Sequence, residues 1–292
     1  MTKFYPLPAR AALLALALGL GGCSALNNSD SGTGDFDASA VPPADQLYAI
    51  GVKQMQAGKY DHAVKDFNAV EENYPYSTWS THAELLAGYA QYKQQNYDDA
   101  LSTLNRFIDL HPENQEAAYA YYLKALCYYE QIEDVQRDQT TTFEAIQTLN
   151  DVITRFPDSG YARDARIKLR LAYNRLAGHD ISIGRYYEKQ HLYAAAIGRY
   201  QDVVTSYQTT TFAPEALERL VECYLDIGLP DAAIRTASVL GYNYPGSPWY
   251  SAAYGKLKDH GLTTTADQSQ ANTDAVAPPP PPPKRHHWFW PF

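Results

Sequence analysis

Three of the 292 residues are cysteines, and one, Cys23, stands where an apolar run gives way to polar sequence. Ala11–Leu20 is apolar throughout, Lys3 and Arg10 precede it, and Gly21-Gly22 separates it from the thiol. The run is about half of the ~20 residues a membrane-spanning helix requires, but it suits the core of a secretory signal. A thiol is a nucleophile that can take a covalent group, and any acyl chain it carried would contribute about 0.8 kcal/mol of membrane affinity per buried CH₂. The alternative is an ordinary signal peptide whose cleavage site happens to hold a cysteine.

No other residues are spaced for catalysis. The chain has no GxxxxGK[ST], HExxH, GxSxG or EF-hand loop, and of its eight histidines only His286-His287 are adjacent. His62 and His82 read as surface residues, and neither a metal nor a cofactor is expected. The formal charge of −9 argues against broad nucleic-acid binding. Aromatic chemistry is abundant instead: 25 tyrosines, many at helical spacing.

The elements that carry these tyrosines repeat. Gly58-Lys59-Tyr60-Asp61-His62-Ala63 parallels Gln95-Asn96-Tyr97-Asp98-Asp99-Ala100. Pro follows each alanine at one fixed interval: Pro75 after Ala63, Pro112 after Ala100, Pro157 after Ala145 and Pro245 after Ala233. The same interval before the alanine places Gly51, Gly88 and, in a fourth unit, Gly184 before Ala196. Small residues at the two positions let antiparallel helices approach closely. Proline ends the second helix because it lacks an N–H and clashes with the preceding turn. Tyr74-Pro75-Tyr76-Ser77, Phe156-Pro157-Asp158-Ser159 and Tyr244-Pro245-Gly246-Ser247 share one form. In each the aromatic closes a core, Pro breaks the helix and Ser can cap the next one.

This is the pattern of the tetratricopeptide repeat, a helix–turn–helix unit of about 34 residues. Five units are expected, near 44–75, 81–112, 114–157, 179–208 and 214–245, forming an all-α solenoid. Residues 131–140 should lengthen the turn of unit three, 159–177 should form an extra basic helix, and a helix near 248–259 should cap the stack. Unit four has Gln208 where the others have Pro, and unit five has Val221 where Gly would stand. The expected organisation is a signal peptide at 1–22, a lipidated spacer at 23–43, the solenoid at 44–260 and a Pro-rich tail at 261–292.

Leu20-Gly21-Gly22-Cys23 resembles the bacterial lipobox, in which cleavage leaves the cysteine as first residue with lipid on its sulfur. Ser24, rather than Asp, favours the outer membrane by resemblance to Gram-negative sorting rules. Loss of Lys3 and Arg10 with the signal takes the formal charge from −9 to −11, so an acidic body on a lipid tether should project into the periplasm. The lipobox, the spacer, five repeats, the YPxS after the first, Tyr121–Tyr129 (YYLKALCYY) and Arg185-Tyr186-Tyr187 with Tyr193–Arg199 (YAAAIGR) resemble the BamD (ComL) family over about residues 20–255. That family comprises outer-membrane lipoproteins of the β-barrel assembly machinery.

The first helix of each unit is expected to line an inner wall. Alignment on Gly51, Gly88 and Ala125 puts Tyr48 and Met55, then Leu85, Tyr89 and Tyr92, then Tyr119, Tyr122, Leu126 and Tyr129 on it. Tyrosine offers a large face, few rotatable bonds and a polar tip, and can hold an extended, partly apolar peptide. The matching guest is an unfolded outer-membrane protein segment, whose strands alternate aromatic and polar residues. The alternative is that these tyrosines only pack between repeats. The resemblance also implies a BamA-like POTRA β-barrel protein and other assembly lipoproteins as partners. It places Arg199, on the second helix of unit four, at the contact with a POTRA domain; otherwise Arg199 is a solvated charge. Arg163, Arg166, Lys168 and Arg170 could meet an acidic partner or balance Asp151, Asp158 and Asp164. A different role, such as adapting division or peptidoglycan enzymes, is the alternative function.

Cys127 and Cys223 each fall two residues after the small position of a first helix, two units apart. They are too distant for a disulfide, which needs Cα atoms within about 7 Å, and read as buried apolar residues. The tail carries a hexaproline, Pro278–Pro283, expected as a polyproline rod, and then Lys284-Arg285-His286-His287-Trp288-Phe289-Trp290-Pro291-Phe292. Membrane contact, partner docking, mimicry of a client's aromatic end and an unstructured tail all remain open for it.

Overall fold

The computed structural model describes residues 41–262. Cys23, the signal and nearly all of the spacer lie outside the described residues, as do the hexaproline and the basic-aromatic segment. The described residues form eleven helices and no strand. They are α1 Ala44–Gln56, α2 Tyr60–Asn73, α3 Thr78–Lys93, α4 Tyr97–Leu110, α5 Ala117–Glu130, α6 Thr140–Arg155, α7 Gly160–Lys189, α8 Tyr193–Ser206, α9 Ala213–Asp226, α10 Pro230–Asn243 and α11 Pro248–Asp259. Each helix packs on the next in order, and alternate helices (α1 on α3, α3 on α5, α5 on α7, α7 on α9, α9 on α11) also touch, which is the stacking of helical hairpins.

The small residues act as the sequence requires. Ala63, Ala100, Ala145, Ala196 and Ala233 are completely buried. A Cβ on Gly51 would lie 2.7 Å from Phe67 Cε1, and one on Gly88 would lie 3.0 Å from Leu104 Cδ2. Gly184 is covered in the same way by the ring of Tyr200. The second helix thus drives one large side chain against the bare backbone of the first.

Helix ends follow from local chemistry. Ser77, Ser159 and Ser247 cap α3, α7 and α11 by accepting from Ser80 N at 3.2 Å, Ala162 N at 3.0 Å and Trp249 N at 3.1 Å. The C-caps Tyr74, Phe156 and Tyr244 leave the helical region just before proline. α8 ends at Tyr207 with the same backbone (φ −128°, ψ 39°) although Gln208 follows it. The aromatic, packed on the core of that unit, closes the helix without proline. In four of the five hairpins the tight turn holds one residue in the left-handed region, filled by Gly58 (φ 73°) and Gly228 (φ 74°) but also by Gln95 (φ 62°) and His191 (φ 59°).

One expectation is corrected. Residues 159–177 do not form a separate helix; they run on into the first helix of unit four as the 30-residue α7. Neither proline nor a closing aromatic interrupts this stretch. Gly178, at the expected boundary, lies inside the helix instead, where its missing side chain admits Phe212 Cε2 (3.2 Å from an ideal Cβ) and Val135 Cγ1 (3.3 Å). Residues 131–139 link α5 to α6, and α11 packs on α9 and α10.

Candidate functional site

The first helices bring most of the selected aromatics to one face. Tyr89 on α3 lies 6.4 Å from Tyr119 on α5 between ring centroids. Tyr119 lies 5.5 Å from Tyr161 on α7, and Tyr161 stacks on Tyr122 at 5.2 Å with an interplanar angle of 28°. Three helices are therefore bridged by four tyrosine rings. Tyr48 on α1 extends the face toward α3 through Trp79, at 4.8 Å, and backs onto Phe67 at 5.9 Å. Tyr92 meets Tyr97 at 6.0 Å, at the turn side of α3. Met55 packs with Tyr48 on the core of unit one, and Leu126 on the core of α3–α5. Tyr129 stands further along under Lys168, whose Nζ is 4.8 Å from the ring centroid.

Leu85 does not belong on this face. It is 2% exposed and sits in the core with Leu104 and Phe107. Its repeat position, three before the small residue, is also that of Tyr48 and Tyr122, which are only half-buried. A tyrosine at that position reaches past the core edge, whereas leucine is too short to leave it.

The tyrosines serve packing and surface together: their inner edges press on the cores while part of each ring stays exposed. Burial holds the Tyr92 hydroxyl up to about 12 and pushes Tyr119 upward too. Tyr122 is raised by burial and by donating its hydroxyl hydrogen to Asp164. All three remain neutral hydrogen-bonding groups at any physiological pH. The rings themselves carry no charge, with the Asp164 carboxylate held beside Tyr122, and the face can contact both apolar rings and backbone amides.

The most exposed aromatics of this face, Trp79 (40%) and Tyr161 (37%), are not among the residues selected from sequence. Their signal is legible in retrospect: each stands two residues after a capping serine, as Trp249 does after Ser247.

Beyond Tyr129 the face opens into a cleft of about 490 Å³ between the 131–139 segment, α7 and the start of α9. Tyr129, Ile132, Val135, Leu171 and Phe212 line it, with Glu130, Asn174 and Arg175 at its edges.

The later first helices are different in kind. Glu215 and Glu218 on α9 are buried, yet ionic partners reach both. Arg185 Nε donates to Glu215 at 2.8 Å, Arg219 to Glu188 at 3.0 Å, and Lys256 of α11 to Glu218 at 2.7 Å. Tyr200 donates to Glu188 at 2.5 Å. This network was not anticipated from the sequence. Arg199 is half-exposed, and its Nη1 donates to Asp180 Oδ1 at 3.2 Å. Burial raises the Asp180 carboxyl, and the Arg199 guanidinium pulls it back. Lys168 pairs with Asp164 at 3.7 Å, while Arg166 donates to the Pro157 carbonyl at 3.2 Å.

Cys127 and Cys223 are unpaired and completely buried, and burial lifts both thiols to about 12. His62 and His82 are exposed, the latter 2.8 Å from Glu116. Among the described residues no group of three or more His, Cys, Asp or Glu side chains is placed to hold a metal ion, and no helix is long and apolar enough to cross a membrane.

A family model described as YfiO, an outer membrane lipoprotein, matches residues 41–240. The outer membrane protein assembly factor BamD of Caulobacter vibrioides is 46% identical over 229 residues, which span 78% of this chain and 75% of that protein. BamD of Rickettsia prowazekii is 43% identical over 249 residues, 85% of this chain and 96% of the relative. BamD of Neisseria meningitidis serogroup A is 32% identical over 253 residues, 82% and 93% of the two chains.

Proposed function

This chain belongs to the YfiO family of outer membrane lipoproteins, that of the BamD assembly factors, and on that premise we propose that it assembles outer membrane proteins by adhesion. The body is a scaffold. Its tyrosine face holds extended, aromatic-rich segments of unfolded clients, and its charged later helices face the rest of the assembly. The observation that carries the reading is the contact chain Tyr89–Tyr119–Tyr161–Tyr122, which offers ring edges and neutral hydroxyls across three helices. Tyrosine binds a strand of alternating aromatic and polar residues without demanding one sequence.

Anchoring falls to Cys23, acylated after removal of residues 1–22, and the body faces the periplasm from the outer membrane. Arg199 is the residue we assign to a POTRA-type partner. Its side chain is 42% exposed and already pinned by Asp180, so a partner carboxylate would meet a guanidinium held in place. No residue is assigned a catalytic role.

The direct test titrates a fluorescent peptide of alternating aromatic and polar residues into the full chain. Tyr161→Ala and Trp79→Ala, at exposed positions, should each weaken binding about tenfold, the loss of roughly one aromatic contact. Tyr242→Ala, on the 87%-exposed ring of α10, should leave it unchanged. Equal affinities across all three variants would defeat the client-face reading. Affinity capture from membranes then separates barrel assembly from a role in division or wall synthesis. Recovery of a β-barrel with POTRA domains supports the proposal, and recovery of peptidoglycan machinery opposes it. Intact-mass analysis of the mature chain reads the lipid on Cys23.

A further inference from the structure

The cleft beyond Tyr129 combines an apolar floor with an acidic segment beside it. Leu171 is 51% exposed at its mouth, and Ile167, one turn earlier on α7, is 50% exposed, so the two form an aliphatic ledge open to solvent. Glu130 edges the cleft, and the segment above it adds Glu133, Asp134 and Asp138. Among the residues lining the cleft Glu130 and Arg175 carry opposite charge; the acidic excess lies on the adjoining 131–139 segment, where Arg137 pairs with Glu133 at 3.6 Å and Asp134 and Asp138 are exposed. A volume of about 490 Å³ falls in the range of sites that enclose small ligands, and it admits one or two aromatic side chains.

One segment of this chain has the complementary chemistry. Lys284 and Arg285 are followed by Trp288-Phe289-Trp290, and no other stretch of the chain has three consecutive aromatics. We propose that residues 284–290 of the same chain occupy this cleft, with an indole seated on Leu171, Val135 and Phe212 and the basic pair against Glu130, Glu133 and Asp134. The reach suffices. Twenty-one residues separate Leu262 from Lys284, enough to span up to about 70 Å at ~3.3 Å per residue. α11 packs on α9, and Phe212 at the N-cap of α9 forms a cleft wall. Two layers at 8–10 Å and the ~21 Å length of a 14-residue helix leave roughly 40 Å to cover. Tethered so, the segment acts at an effective concentration on the order of millimolar, and modest intrinsic affinity keeps the cleft filled until a competitor arrives. The inference goes beyond the client reading and does not depend on it, because the occupant is the chain itself.

The test uses a labelled synthetic peptide, residues 284–292, titrated by anisotropy into two full-length chains: the unaltered one and one carrying Trp288→Ala, Phe289→Ala and Trp290→Ala. The altered chain should bind the peptide at least tenfold more tightly, since its own segment no longer competes. Adding Leu171→Asp to the altered chain, at a half-exposed position, should remove that binding with unchanged circular dichroism, and salt should weaken it. Independently, a photoreactive phenylalanine analogue at position 290 of the full chain should crosslink in cis to α7 or to 131–139. Equal affinity of the two chains, binding indifferent to Leu171→Asp, or crosslinks confined to other helices overturns the proposal. So does a peptide that partitions into phosphatidylglycerol vesicles but does not bind the altered chain.

Discussion

The same substitution, glycine to alanine, should change stability with opposite sign at two helix positions. Gly198 lies inside α8, and a Cβ built there meets nothing within 4 Å. Gly198→Ala should therefore return the full helix-propensity gain, about 0.8–1 kcal/mol. Gly51 lies inside α1, where a Cβ would stand 2.7 Å from Phe67 Cε1 and 2.8 Å from Cδ1. Phe67 is completely buried, so its ring has no open space into which to retreat. Overpacking of that kind costs typically 1–3 kcal/mol. A 2.7 Å contact against a ring with no room to retreat lies in the upper part of that range, about 2–3 kcal/mol, so after the propensity gain Gly51→Ala should destabilise by about 1–2 kcal/mol net. In a body of this size that is roughly a 2–8 °C fall in melting midpoint, against a rise of about 2–4 °C for Gly198→Ala. Thermal and urea unfolding followed by far-ultraviolet circular dichroism reads both. A compensating variant, Gly51→Ala with Phe67→Leu, should recover part of the loss by giving the new methyl space. If Gly51→Ala stabilised the protein as much as Gly198→Ala does, the close approach of paired helices would not be what fixes the repeat.

Three further outcomes follow from the geometry. Gln95 and His191 hold left-handed backbone that glycine occupies in two other hairpins, so Gln95→Gly and His191→Gly should each raise the urea midpoint by about 0.5–1 kcal/mol equivalent. Arg199→Ala leaves the buried Asp180 carboxylate without its cation. The folded-state pKa of Asp180 lies above its ordinary value, so its contribution to stability is present at low pH and lost as pH rises through the raised value. The variant should thus lose about 1 kcal/mol at pH 7, discounted for the half-exposed arginine, and lose less as pH falls toward 4. Adding Asp180→Asn should restore much of the neutral-pH loss, and a pH-independent deficit would contradict the account. Cys127 and Cys223, buried with thiols near 12, should resist a thiol reagent in the native chain and react once urea unfolds it.

What could be read from sequence was what sterics make obligatory. Gly51, Gly88 and Gly184 stand opposite Phe67, Leu104 and Tyr200, and no larger residue fits there without displacing a core ring or leucine. That constraint repeats at fixed spacing, so it reveals the hairpins. The serine caps are local and equally visible. The fusion of 159–177 with unit four was hidden because Gly178 has two meanings: it can end a helix, or it can admit Phe212 and Val135 from distant elements. Only tertiary contact distinguishes them. Leu85 was misplaced for a related reason. Its repeat position is shared with Tyr48 and Tyr122, but side-chain length, not position, decides which of them reaches the surface. Tyr161 was overlooked because its helix reads as basic, and its ring contacts with Tyr119 and Tyr122 cross between helices far apart in the chain.

On the function proposed, the two halves of the body meet different recognition problems with one backbone. α1, α3 and α5 present rings whose inner edges are fixed by the cores, while their hydroxyls remain neutral donors and acceptors. Such a face tolerates many sequences, because a ring contact asks only for another apolar or planar group. α7, α9 and α11 instead bury Glu215 and Glu218 and clamp them with Arg185 and Lys256. Pairs whose carboxylate is buried and whose cation is partly exposed add little net stability, but removing the cation strands a buried charge, so the arrangement admits few alternatives. A surface set by such pairs keeps its shape on contact. Adaptable rings suit varied clients met in an extended state, and fixed charges suit one folded partner met many times. On the function proposed, a division of labour along the chain follows from the side chains that the first helices carry.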